Sequence, residues 1–93
     1  MSVVIIGGNE CMVRQYKDLC SAYRCRSKVF PKTEGSLKNK IGSPDLMVLF
    51  TSTMSHKMLH SALNETKGTG TVIARSHSSS MTALKNILDE HIR

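Results

Sequence analysis

Two stretches of this chain are apolar at every position: Val3-Val4-Ile5-Ile6 and Leu46-Met47-Val48-Leu49-Phe50. A strand with one face in water alternates apolar and polar residues, so an unbroken run requires cover on both faces. That is the signature of a central strand in a parallel sheet with helices packed above and below. The first strand is expected over Ser2–Ile6, ending in Gly7-Gly8, and the third over Asp45–Phe50. Arg26–Phe30 reads as a second strand, short and partly polar and so near an edge, and Pro31 closes it because proline cannot donate to a ladder. Thr71–Arg75 reads as a fourth.

Helical spacing fills the intervals. Met12, Tyr16, Leu19, Cys20 and Tyr23 recur so as to share one helix face, with Arg14, Lys17 and Asp18 on the other. Leu37 and Ile41 predict a brief helix that Gly42-Ser43-Pro44 ends. Met58, Leu59, Ala62 and Leu63 predict a helix leaving at Lys67-Gly68, a cation in the last turn followed by glycine. Met81, Leu84, Ile87, Leu88 and Ile92 predict the last helix. Strands alternating with helices at this spacing imply parallel pairing through right-handed crossovers. The expected fold is α/β: a single four-stranded parallel sheet in the order 2-1-3-4, flanked by helices in a Rossmann-like or flavodoxin-like three-layer arrangement. Residues 1–93 are expected to form one such domain.

Composition narrows the setting. With no Trp and only four aromatic rings, the core must be aliphatic. Three cysteines, Cys11, Cys20 and Cys25, are too few and odd in number for a disulfide framework. No run is long enough for a signal peptide or a membrane span, so a reducing bacterial-type cytoplasm is the expected location. The net charge is +6, and eight of the thirteen Lys and Arg lie between Arg14 and Lys40 against only Asp18 and Glu34. Such a stretch attracts anions, nucleic acid among them, although a solvated basic face is the simpler account.

In open parallel sheets ligands bind outside the carboxyl ends of the strands. Three loops leave strands there: Gly7-Gly8-Asn9-Glu10, Thr51-Ser52-Thr53-Met54-Ser55-His56 and Ser76-His77-Ser78-Ser79-Ser80. Each leads into a helix, whose first N–H groups and positive dipole end favour phosphate, sulfate or carboxylate. The candidate ligand-binding residues are therefore Gly7, Gly8, Asn9, Thr51, Ser52, Thr53, Ser55, His56, His77, Ser78, Ser79 and Ser80. Neither a G-x-G-x-x-G nor a Walker Gly-Lys-Ser/Thr occurs, which argues against a dinucleotide or P-loop site.

His56 and His77 add imidazoles, each able to act as acid, base, metal ligand or anion partner. His60 follows His56 by four, the spacing of a metal pair on one helix face, but no Glu or Cys completes it nearby. Imidazole with Met54 or Met58 is also a haem-type ligand set, against the simpler account of methionine as core filler. Cys20 and Arg26 match C-x-x-x-x-x-R, yet Cys20 closes a helix where a phosphate loop must follow a strand. No nucleophile–base–orienter set is legible, so no catalytic residue is assigned.

Met1 to Gly8, Pro44 to Thr51, Ser55-His56-Lys57-Met58 and His77-Ser78-Ser79-Ser80 followed by Ala83 to Leu88 resemble a family of small bacterial proteins, domain of unknown function 2325. The resemblance runs nearly the full chain. It implies a bacterial cytosolic protein in which His56, His77 and the serines matter. The family pattern carries His and Asp after the double glycine, where Asn9 and Glu10 stand here.

The leading functional expectation is a binding or sensing module for a small anionic ligand, phosphate-bearing above all. The alternatives are an enzyme acting on a phosphorylated metabolite and a haem or metal carrier through His56 and His77. Nucleic-acid binding by the basic stretch ranks below these, since Tyr16 and Tyr23 look like core. An exposed sheet edge on so small a core predicts a homodimer.

Overall fold

A computed structural model of the chain describes residues 1–31 and 42–92. Four strands form one parallel sheet in the order β2-β1-β3-β4, where β1 is Ser2–Gly7, β2 Arg26–Phe30, β3 Leu46–Phe50 and β4 Val72–Ser76. Among the described residues three α-helices accompany them: α1 Val13–Ala22, α2 His56–Glu65 and α3 Met81–His91. This is the three-layer α/β arrangement expected from the sequence, with the same strand order. The helix expected around Leu37 and Ile41 lies outside the described residues.

The two unbroken apolar runs are the two central strands, and alternation along them divides the core. Val3, Ile5, Leu46, Val48 and Phe50 face the layer containing α1 and α3, where Tyr16, Cys20, Leu84 and Leu88 are buried. Val4, Ile6, Met47 and Leu49 face α2 through Met58 and Ala62, with Leu59 and Leu63 packed around them. Burying a Val, Leu, Ile, Phe or Met side chain contributes roughly 1.5–3 kcal/mol, so these central residues dominate the favourable side of folding.

Element ends differ from expectation by a residue or two. Strand β4 runs one residue further, to Ser76, because it keeps pace with β3 through Phe50↔Ser76. Helix α2 stops at Glu65, short of Lys67-Gly68. The Thr66 hydroxyl donates back to the carbonyls of Ala62 (3.1 Å) and Leu63 (3.3 Å), and a turn containing Lys67 and Gly68 follows. At the other edge of the sheet the Asp45 carboxylate accepts the Ser2 N–H (2.8 Å), while its own N–H donates to the Ser2 carbonyl (2.9 Å). Among the described residues no helix is long and apolar enough to cross a membrane.

Candidate functional site

The register brings three strand ends level: Gly7 pairs with Phe50, and Phe50 with Ser76. The loops after β1, β3 and β4 therefore leave the sheet side by side, and hydrogen bonds tie them to one another.

Gly7 and Gly8 are buried with φ of +86° and +92°, the left-handed region that favours glycine. A Cβ on Gly7 would stand 2.8 Å from both the Phe50 carbonyl oxygen and Thr53 Oγ1. One on Gly8 would stand 3.0 Å from the rings of Phe50 and Tyr16. The Gly8 N–H donates to Thr53 Oγ1 at 2.6 Å, and the Thr53 hydroxyl donates in turn to the Phe50 carbonyl at 3.0 Å. The double glycine thus serves a close approach between the first two loops. Thr53 is committed to that approach in both its donor and its acceptor role.

Tyr16, buried in α1, links the first loop to the third. Its hydroxyl accepts the Asn9 N–H (3.2 Å) and donates to the Ser79 carbonyl (2.6 Å), and its ring packs tilted on Phe50 with centroids 5.4 Å apart. Sequence reasoning placed Tyr16 only in the core. The available signal was chemical, because a fully buried phenol needs a partner for its O–H. A longer bond from the Thr51 hydroxyl to the Ser76 carbonyl, 3.4 Å, joins the second loop to the third.

The other polar residues divide into caps and uncommitted groups. Asn9 Oδ1 accepts the Cys11 N–H (2.9 Å) and starts a short 3-10 turn before α1. Ser55 Oγ accepts the Met58 N–H (3.2 Å) at the start of α2, and Ser80 Oγ the Ala83 N–H (3.1 Å) at the start of α3. Ser78 Oγ donates to Ser80 Oγ (3.1 Å), and the Ser76 hydroxyl donates to the Ser78 carbonyl (2.7 Å). The side chains of Ser52, His56, His77 and Ser79 make no hydrogen bond among the described residues, and Ser52 and both histidines are exposed. All twelve predicted positions sit at this edge. Gly7, Gly8 and Thr53 are structural within it, while Ser52, His56, His77 and Ser79 are free to meet a ligand.

The remaining candidates separate clearly. Cys20 is fully buried at the end of α1, and burial, reinforced by nearby Cys25 and opposed by a Ser27 hydrogen bond, pushes its thiol up to about 11. Arg26 opens β2 at the opposite edge of the sheet, so the C-x-x-x-x-x-R match forms no phosphate loop. Among the described residues, no group of three or more His, Cys, Asp or Glu side chains gathers as a metal centre would require. Arg14, Lys17, Arg24, Arg26 and Lys28 of the basic stretch are exposed, and its three other cations lie outside the described residues. Tyr16 is buried, and Tyr23 and Phe30 pack against the two cores.

The model of a family described as uncharacterized protein conserved in bacteria, domain of unknown function 2325, matches residues 2–91. No curated protein and no solved structure matches the chain.

Proposed function

The chain belongs to that bacterial family, and within it we propose a binding or sensing module for a small anionic, phosphate-bearing ligand held at the carboxyl edge of the sheet. One observation carries this reading. At an edge where most polar groups are consumed by caps and loop-to-loop bonds, Ser52, His56, His77 and Ser79 stay uncommitted beside the starts of two full-length helices. Helix starts supply N–H donors and positive potential, hydroxyls donate to oxyanions, and a protonated imidazole adds a charge-assisted bond. The net charge of +6 raises the local concentration of any anion. A reducing bacterial cytosol fits three free cysteines, two of them buried.

The test is native mass spectrometry of freshly purified protein, followed by titration with inorganic phosphate and a panel of phosphorylated metabolites. The parent chain is expected to carry or bind at least one of these. A His77→Ala, Ser79→Ala double variant should bind it at least tenfold more weakly, the scale of one charge-assisted hydrogen bond of roughly 1.5–3 kcal/mol. A variant that keeps every ligand of the parent sinks the reading. Turnover of a phosphorylated metabolite would make the same edge an active site. A Soret band or a bound metal lost on replacing His56 and His77 would make it a haem or metal site.

A further inference from the structure

The two edges of the sheet are unlike. Strand β2 is guarded in the usual ways for an edge, with Arg26 and Lys28 exposed along it and Pro31 at its end. Strand β4 is not. It contains no proline, its one charged residue is Arg75, and Val72 is 48% exposed, one of two large apolar side chains so open among the described residues.

Its backbone is open as well. The Val72 N–H donates to the carbonyl of Asp45, the residue just before β3 (3.1 Å), which sets the alternation: Val72, Ala74 and Ser76 bond toward β3. The N–H and C=O groups of Ile73 and Arg75 therefore point away from the sheet, and no described residue pairs with them. Four backbone groups in a row form a template for another strand.

We infer that β4 is the interface of a homodimer, in which two copies pair antiparallel about a two-fold axis at Ala74 and join their sheets into one of eight strands. The pattern along β4 is complementary to itself when reversed, which selects a second copy over a foreign strand. With the axis at Ala74, Ile73 and the partner's Arg75 exchange both N–H···O bonds, and symmetry repeats the pair to give four. Ala74 then lies opposite the partner's Ala74 at the close, non-hydrogen-bonded position, about 4.5 Å between Cα atoms, where a small side chain fits best. No arginine stands directly opposite another. Each Arg75 lies beside the partner's Ile73, along which its aliphatic stem can pack. On β2 the same operation would gather Arg26 and Lys28 from both copies in a chain already carrying +6.

Sedimentation velocity across micromolar to millimolar concentration, on the parent and an Arg75→Pro variant, tests this. Proline at 75 deletes an outward N–H and spares the bonds to β3, so each dimer loses two of its four new bonds. The parent should dimerise, and the variant should dissociate about tenfold more readily or beyond. A parent that stays monomeric throughout overturns the inference, as does a variant that dimerises as tightly as the parent. Should Arg75→Pro lose its circular dichroism signal, amide exchange in the parent decides. Slowing of the Ile73 and Arg75 amides with rising concentration supports the interface, and concentration-independent exchange at both overturns it. Assembly only in the presence of a second protein would assign the edge to a foreign strand instead.

Discussion

A methyl group at Gly7 has no room, since the Phe50 carbonyl and Thr53 Oγ1 already occupy the space. The substitution Gly7→Ala therefore combines a left-handed backbone with a clash against main chain that cannot swing away. We expect it to cost at least about 2 kcal/mol, measured by urea unfolding. Gly70 supplies the comparison, with φ of +77° and nothing within 4 Å of a Cβ. Gly70→Ala should cost about 1–2 kcal/mol from conformation alone. Equal losses at the two sites would refute the steric account of Gly7. The double glycine stood out in the sequence as a special place, but its purpose did not. Its partner Thr53 is 45 residues further along from Gly8, and no local spacing reveals a contact of that kind.

Among the elements, α1 does more than cover the sheet. Through one phenol it holds the loop after β1 and the loop after β4 in fixed relation, reaching 63 residues along the chain to the Ser79 carbonyl. Tyr16→Phe keeps the ring packing on Phe50 while removing the donor to that part-buried carbonyl. Stability should fall by about 1–3 kcal/mol in chemical denaturation, and exchange of the Asn9 amide should quicken. An unchanged Asn9 rate would mean that the hydroxyl does not join the loops. Periodicity did reveal the inward face of α1, because Met12, Tyr16, Leu19, Cys20 and Tyr23 each meet the core. Apolar spacing reports burial and is silent about the polar atom at the tip of a buried side chain. The end of α2 was misread for a related reason. Lys67-Gly68 carries the usual exit chemistry, yet the helix ends at Glu65, and the Thr66 hydroxyl just past it bonds back to the Ala62 carbonyl.

For the molecule as a whole, strand order and layering were legible because they follow from two unbroken apolar runs and the alternation around them. Whether the loop hydroxyls do more than cap helices was not, since caps and ligand donors use the same residue types. Global stability should carry an alkaline signature. Burial raises the Cys20 thiol from 9.0 to about 11, and a hydrogen bond to Asp89 raises the Tyr23 phenol. The folded state keeps the Cys20 proton while the unfolded chain releases it. Its contribution is thus complete below about pH 9, shrinks as pH rises toward about 11, and shrinks no further beyond. Urea midpoints followed over that range should fall, and Cys20→Ala should flatten the decline; a midpoint independent of pH would contradict the assignment. The level strand ends carry a last consequence, one of size. Neighbouring strands lie about 4.8 Å apart, so the loops after β1 and β4 stand about 10 Å from each other across β3. On the reading proposed above, that width discriminates by size: a bare phosphate would bridge two adjacent loops, whereas a phosphate carried on a sugar or a comparable body would span all three.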